Sequence, residues 1–152
     1  MTIRVALEDP AGADARILVA ELSATLEALT GASGQASFDP DDVRVDRAGF
    51  ALARDARGRA LGCGALRPLA PGCAELKRMF ARPGTQGVGA ALLHFLEQQA
   101  AGWGYAALRL STRRVNQRAV AFYLRHGYRP IAGYGRYADS DVSQCFEKRI
   151  AA

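Results

Sequence analysis

Apolar residues along the first third of the chain recur first at a strand spacing and then at a helical spacing. Residues 3–7 alternate between apolar and other side chains, which predicts a β-strand. Four leucines between residues 18 and 29 recur every three or four positions, which predicts one apolar face of a helix. We expect Asp9 to cap this helix, Pro10 to occupy its first turn and Gly31 to end it.

The middle of the chain has the pattern of a hairpin followed by a third strand. Apolar runs at 50–53 and 60–66 flank the turn sequence at 55–58. Residues 75–80 follow a Pro-Gly pair at 71–72, and Leu76 and Phe80 are in phase, which predicts a third strand. Residues 31–47 are polar and rich in Gly and Asp, so we expect a loop or a short irregular helix there.

The last part of the chain predicts two helices and more strands. An apolar stripe at 88–99 predicts a helix, and 105–112 reads as a strand. Asn116 is expected to cap a helix that continues to His126 and stops at Gly127. Val142, Phe146 and Ile150 mark a last strand. The element order is therefore β-α-β-β-β-α-β-α-β-β, which indicates an α/β (α+β) fold with a mixed, largely antiparallel sheet flanked by helices.

Composition limits the class of protein further. The chain has 152 residues, of which 49% are hydrophobic and 23% charged, as in ordinary globular proteins. We expect a single domain over residues 1–152. No apolar run reaches the roughly 18 residues of a membrane span, and the N-terminus lacks a signal-peptide pattern, so we expect a cytoplasmic protein. The three cysteines have no CxxC spacing, so neither a disulfide framework nor a metal site is predicted.

The charge balance is positive, at +5, and arginine supplies nearly all of the cations. A positive surface suits RNA or a small polyanion such as a phosphorylated cofactor. It is equally typical of a mildly basic enzyme with no polyanionic partner.

The sharpest local motif is a glycine-rich turn between a strand and a helix, with glycines at positions 84, 87 and 89. Glycines let the backbone approach a ligand closely, and the first helical N–H groups favour an anion, so the motif predicts a phosphate or pyrophosphate site. A Walker loop is excluded because no Lys-Ser/Thr pair follows. A dinucleotide fingerprint is excluded because Leu92 stands where Gly or Ala is needed and because the turn lies past mid-chain.

Three motifs in the same order resemble those of the GNAT superfamily of N-acetyltransferases, in particular its small bacterial members. They are 75–83 (ELKRMFARP), 86–93 (QGVGAALL) and 116–123 (NQRAVAFY), with Gly-Tyr at 127–128 and a closing segment at 143–148. The resemblance extends over essentially the whole chain. It departs at Gly84, where the family's turn begins with Arg or Gln, and the loop after Pro83 is shorter than usual. Gln86 lies nearby in a different register.

The resemblance implies acetyl-CoA as the cofactor and assigns its contacts to three elements. The strand would supply Met79, Phe80 and Ala81, the turn Gln86, Gly87, Val88, Gly89 and Ala90, and the following helix Asn116 and Tyr123. Met79 breaks the strand's apolar phase, which is consistent with the β-bulge that the family has there. A backbone N–H at this point would polarise the thioester carbonyl.

The resemblance also implies direct acetyl transfer to a primary amine of a small molecule or protein. Tyr123 would be the general acid that protonates the leaving thiolate, and Asn116 and Tyr123 share one helix face. Glu75 is the best-placed carboxylate by sequence for the catalytic base, although an exposed strand carboxylate would look the same. No cysteine has the neighbours of a covalent nucleophile.

The acceptor side is less determined by sequence. Asp39, Asp41 and Asp42 could attract a cationic amine or form a solvated turn, and Tyr134 and Tyr137 could line the pocket or belong to a hairpin loop.

Two alternative functions stay open. One is a non-catalytic acyl-CoA-binding or sensor module. The other is an acetyltransferase for charged tRNA or a ribosomal protein, although no RNA-reading aromatic motif is present and nucleic acid is not the expected partner. A homodimer is compatible with an enzyme of this size, and no membrane partner is expected.

Overall fold

One mixed sheet of seven strands organises the chain. The structure is a computed structural model that describes residues 2–150. Strand order across the sheet is β1-β2-β3-β4-β5-β7-β6, and only the β4–β5 pair is parallel. The strand bounds are β1 Arg4–Glu8, β2 Gly49–Arg54, β3 Ala60–Ala70, β4 Cys73–Ala81, β5 Ala107–Arg113, β6 Arg129–Ile131 and β7 Ser143–Arg149.

Helices cover both faces of this sheet. They are α1 Ala13–Thr30, α2 Val88–Gly102 and α3 Gln117–Arg125, with short 3-10 turns at Gln35–Ser37, Pro40–Val43 and Gly135–Tyr137. Phe50 and Leu52 of β2 pack in the cluster that contains Leu18 of α1, whereas Ala51 and Ala53 pack in the cluster that contains Leu92 of α2. Successive residues of a strand point to opposite faces, so α1 and α2 lie on opposite sides of the sheet.

The predicted fold class and element order are confirmed, and the differences are confined to element ends. α1 begins at Ala13 with Gly12 at its N-cap, not at Pro10. Asp9 instead accepts a hydrogen bond from the Ala11 amide (2.9 Å), because its short side chain closes a local turn before the helix. The last strand begins one residue after Val142, which is exposed. Gly31 ends α1 with a φ of +81°, as expected of a glycine C-cap.

Two irregularities in the sheet open a cleft. β4 and β5 pair only at three positions, from Cys73–Ala107 to Glu75–Arg109, and β5 has no partner on β4 beyond them. In the β3–β4 pair, Lys77 faces Ala65 and Phe80 faces Cys63, so Arg78 and Met79 share the single position opposite Gly64. This is the β-bulge that the phase break at Met79 predicted. The bulge is built on Arg78, whose φ of +54° is unusual for a side-chain-bearing residue.

Candidate active site

The cleft between the diverging strands has a volume of about 1400 Å³. Its walls come from β4 and β5, its ends from the glycine turn and the N-terminus of α3, and its roof from the second half of α1 and the segment after it. Because β5 leaves β4 after Glu75, the facing edge of β4 lacks a strand partner along the rest of its length. Such an edge can hydrogen-bond an extended ligand as a further strand would.

The glycine turn offers five consecutive unpaired backbone amides, at 86–90, and the residues of the last four line one end of the cleft. Gly84 and Gly87 have φ values of +82° and +75°, and Gly87 is the N-cap of α2. The first intrahelical bond there runs from the Ala91 amide to the Gly87 carbonyl (3.0 Å). Within residues 2–150 no protein group accepts a hydrogen bond from the amides of 86–90. These amides and the positive end of the helix dipole favour an anion such as a pyrophosphate.

Most residues predicted to bind a cofactor line this one cleft. Those that do are Met79, Phe80, Ala81, Gly87, Val88, Gly89, Ala90, Asn116 and Tyr123. The exception is Gln86, whose side chain is exposed outside it. Asn116 caps α3 as predicted, since its side chain accepts a hydrogen bond from the Ala119 amide (3.2 Å). The α2 start lies directly against α3, because a Cβ added to Gly89 would come within 3.3 Å of the Phe122 ring.

Tyr123 lies in the cleft wall with its ring embedded in aromatic neighbours. Edge contacts to Phe122 and Tyr128 hold the ring, with centroids 5.2 and 5.6 Å away. Only 7% of the residue is exposed. Burial raises the pKa of the phenol well above its usual value, and no hydrogen bond from the hydroxyl to another residue in 2–150 is present. The structure therefore places a protonated, unpartnered hydroxyl group in the cleft wall.

Glu75, the predicted base, lies beneath the cleft and not in its wall. It is 1% exposed, and its oxygens accept hydrogen bonds from Arg67 (2.8 Å) and from the Tyr134 hydroxyl (2.6 Å). Burial and the charge of Glu75 raise the pKa of Tyr134, so Tyr134 remains the donor. A carboxylate already engaged in this way has no free oxygen directed at a substrate, so the geometry does not favour a base role for Glu75.

Two cations that the sequence analysis left without a role lie next to Glu75 on β4. Lys77 Nζ donates to the Tyr137 hydroxyl (2.9 Å) and lies 3.8 Å from Glu75. Arg78 donates to the carbonyls of Val19 (3.2 Å) and Ser33 (3.1 Å) and to the Ser23 hydroxyl, so the bulge residue ties β4 to α1. Its left-handed backbone has no signature in the sequence, which is why its position could not be predicted.

The cysteines lie away from the cleft. Cys63, Cys73 and Cys145 are free and buried, and none of them lines it. Burial raises the pKa of the Cys63 thiol to about 12 and also raises that of Cys73. A thiol that stays protonated at neutral pH is a poor nucleophile.

The residues considered for the acceptor side lie in different places. Tyr137 lines the cleft, and Arg113 and Arg118 line it as well. The acidic residues Asp39 and Asp42 form a reciprocal cap on the Pro40–Val43 turn, outside the cleft. None of the helices in the described range has both the length and the apolarity needed to cross a membrane.

Comparisons with known proteins agree on one family. Residues 18–128 match the acetyltransferase (GNAT) family. An IAA acetyltransferase of Azospirillum brasilense is 30% identical over 97% of this chain and 98% of its own length. An uncharacterised N-acetyltransferase of Schizosaccharomyces pombe is 36% identical over 55% of this chain, and the match spans only 53% of that protein.

Solved structures show the same fold. A candidate acyl-CoA N-acyltransferase of Klebsiella pneumoniae superposes with a TM-score of 0.82 at 28% identity, covering 98% of both chains. The PaiA N-acetyltransferase of Thermoplasma acidophilum, in complex with coenzyme A, has a TM-score of 0.71 at 18% identity and covers 98% of this chain and 99% of its own.

Proposed function

The chain belongs to the GNAT family of acetyltransferases, and we propose that it transfers an acetyl group from acetyl-CoA directly to the amine of a small molecule or protein. The observation that carries this proposal is the cleft between β4 and β5, which ends at five free amides. One end of the cleft suits a pyrophosphate, and the unpaired β4 edge suits the amide-containing pantetheine arm. The Thermoplasma relative with coenzyme A bound has the same fold, which supports this choice of cosubstrate.

The expected course of the pantetheine arm along β4 leads to a proposed position for the thioester. The pyrophosphate would bind the amides of 86–90, and the arm would run back along the β4 edge toward the bulge at Arg78 and Met79. Bulges redirect backbone groups, and a redirected amide near Met79 would polarise the thioester carbonyl as an oxyanion hole does. Arg113 and Arg118, at the β5–α3 end of the cleft, would meet the one remaining phosphate of the cofactor, on its ribose.

Tyr123 is proposed as the group that protonates the departing thiolate. Its raised pKa keeps the proton on the phenol throughout the neutral range. Burial disfavours charged forms in general, so a thiolate that leaves inside the cleft is also a stronger base than it would be in water, which favours proton transfer from the phenol. All three cysteines are buried outside the cleft, which supports direct transfer over an acyl-enzyme route.

We assign Glu75 a positioning role in place of the base role that its sequence position suggested. Through Tyr134 it holds the β6–β7 segment on β4, and that segment brings Tyr137 to the cleft beside Lys77. The whole chain, residues 1–152, would act as one acetyltransferase domain.

The proposed cradle can be tested by placing a methyl group on its backbone. Gly87→Ala forces a left-handed alanine, at a cost of about 1–2 kcal/mol, into open space where the nearest heavy atom is 3.9 Å away. Gly58→Ala is the matched control, because Gly58 has a φ of +81°, nothing within 4 Å, and a place in the β2–β3 turn away from the cleft. We expect the two variants to lose similar stability and only Gly87→Ala to bind coenzyme A more weakly, by about tenfold or more in calorimetry.

The activity itself is tested by mixing acetyl-CoA with a broad panel of amines and measuring release of free thiol. Amine-dependent thiol release supports the proposal. If acetyl-CoA raises the melting temperature but no amine is acetylated, the chain is the acyl-CoA-binding module that was the first alternative. If acetyl-CoA does not bind, the proposal fails.

A further inference from the structure

Every charged side chain that lines the cleft within residues 2–150 is a cation. Seven arginine and lysine residues line it, and no aspartate or glutamate does. The chain as a whole carries 20 basic and 15 acidic residues, so the average surface is far closer to balance. The seven are Lys77, Arg78, Arg82, Arg113, Arg118, Arg125 and Arg136.

The cofactor accounts for only part of this charge. Arg113 ends β5, and Arg118 and Arg125 belong to α3, on the side where the phosphates of coenzyme A are proposed to bind. Arg82 is paired with Glu21 of α1 at 2.6 Å. Lys77, Arg78 and Arg136 lie toward the other end, where β4, the segment after α1 and the β6–β7 segment meet.

Charges at this end are incompletely neutralised. Lys77 lies 3.8 Å from Glu75, but Glu75 also accepts from Arg67 at 2.8 Å and is therefore shared. Arg78 is 8% exposed and donates only to carbonyl and hydroxyl oxygens, and its Nε has no partner within the described chain. Arg136 donates to the Ala36 carbonyl (2.9 Å) and forms no ion pair within residues 2–150. Lys77 and Arg78 are buried, whereas Arg136 is exposed. A buried cation without a full counter-charge is costly, and an anionic ligand would offset that cost for Lys77 while Arg136 adds a charge at the rim.

The rest of this end is apolar or carries hydroxyl groups. Leu22, Leu26 and Leu29 of α1 line it, and Leu29 is 47% exposed because it faces the open cleft. Tyr137 completes the wall beside Lys77. A ligand with one anionic group and an apolar body would match both parts of this surface.

We propose that the acceptor is a small amine bearing a carboxylate, of the amino-acid type, whose carboxylate is bound by Lys77 and Arg136. The inference rests on the proposed acetyltransferase function and names its substrate class. Polyamines and lysine-rich peptides are disfavoured, since their additional positive charges would enter a cleft that contains only like charges. In the transfer, the neutral amine nitrogen attacks the thioester carbonyl, the N–C bond forms and the C–S bond breaks. The leaving thiolate takes a proton from Tyr123, and the proton that the nitrogen loses passes to solvent, from which Tyr123 is protonated again.

The test compares acceptors that share a side chain and differ in one group. Leucine and phenylalanine are each assayed against their amides, their decarboxylated amines and their aminophosphonate analogues, with putrescine and a lysine-containing peptide in parallel. Amides have the more weakly basic amine and so more of the reactive neutral form, which biases the comparison against the proposal. We expect kcat/KM for the acid to exceed that for its amide by about tenfold or more. A phosphonate that outperforms the carboxylate would assign the site to phosphate-type anions and overturn the carboxylate assignment.

Variants of Lys77 and Arg136 test whether these cations cause the preference for acids over amides. Lys77→Met and Arg136→Gln should each lower the acid-to-amide ratio of kcat/KM by several-fold, whereas Arg57→Gln, an exposed cation in the β2–β3 turn, should not change it. Because the ratio compares two substrates of the same variant, a general loss of folding or cofactor binding does not alter it.

The substrate class and the acetyltransferase function are refuted by different outcomes. Turnover of neutral amines, polyamines or peptides with no preference for acids would refute the substrate class and leave the acetyltransferase function intact. Absence of turnover on every acceptor, with no acetyl-CoA binding, would refute the acetyltransferase function itself.

Discussion

Removal of the Tyr123 hydroxyl should lower the rate of acetyl transfer without lowering the stability of the fold. The hydroxyl has no protein hydrogen-bond partner in the described chain, and the ring is held by aromatic contacts that phenylalanine would keep. Tyr123→Phe therefore leaves no buried partner unsatisfied. We expect the free energy of unfolding to change by less than about 0.5 kcal/mol.

The catalytic cost is larger because phenylalanine cannot donate a proton to the leaving thiolate. Loss of a general acid typically lowers the rate by about 10²–10⁴-fold. A thiol of pKa about 8.5 leaves fairly well as its anion, so the lower end of that range applies. We expect kcat to fall about 100-fold, which corresponds to about 2.7 kcal/mol of transition-state stabilisation.

Tyr128 provides a matched control with the opposite outcome. It packs against Tyr123, but its hydroxyl donates to Glu97 (2.8 Å) and points away from the cleft that Tyr123 lines. Tyr128→Phe removes a hydrogen bond to a charged group, at a cost of about 1.5 kcal/mol, since Glu97 keeps Lys148 at 3.1 Å. The melting temperature should fall by about 3–6 °C while kcat stays within about twofold of the parent.

The assay measures kcat by thiol release at saturating acetyl-CoA, the Kd of coenzyme A by calorimetry, and stability by thermal unfolding. An unchanged kcat in Tyr123→Phe with a good acceptor would refute the general-acid assignment. Equal losses of kcat in both variants would show that the aromatic cluster, and not the Tyr123 hydroxyl, supports catalysis.

Two further predictions concern stability. A Cβ at Gly62 would lie 2.4 Å from the Phe80 carbonyl oxygen and 2.8 Å from Val88 Cγ1, so Gly62→Ala should lower the free energy of unfolding in urea by about 3 kcal/mol. Gly102→Ala, near the end of α2 with nothing within 4 Å, should stabilise slightly, and equal effects would contradict the close packing of α2 on β3 at Gly62. Burial raises the pKa values of Tyr123, Tyr128 and Tyr134, so these phenols stay protonated in the folded chain after the unfolded chain begins to ionise at about pH 10. The contribution of these three phenols to the free energy of unfolding is therefore complete below about pH 10 and decreases as the pH rises further. A melting temperature independent of pH from about 9 to 11 would refute this.

Local sequence patterns located most helices and strands, because the interactions that begin and end these elements involve residues close together in the chain. Gly31 and Asn116 act on their own helices, through a left-handed C-cap and a side-chain N-cap, and the structure has both. The bulge near Met79 was predicted from a break in strand phase. The same reasoning misplaced the start of α1, because an Asp-Pro pair serves a turn as well as it serves a helix.

The candidate site was partly visible in the sequence for a similar reason. The free amides at 86–90 depend on where α2 begins, and the glycine spacing determines that point. Glu75 shows what local sequence patterns could not predict. Its place at the start of a strand was correct, but its burial and its bonds to Arg67 and Tyr134 depend on residues 8 positions before it and 59 positions after it.

The sequence by itself determined the order of elements, the glycine turn and the family resemblance, because each depends on neighbours a few residues apart. Only the tertiary structure showed that β4 and β5 separate, that Arg78 is left-handed and buried, and that the cleft collects cations while the acidic residues pair elsewhere. Charge complementarity is a property of a surface assembled from distant segments, so the class of acceptor could be inferred only after those segments had been brought together.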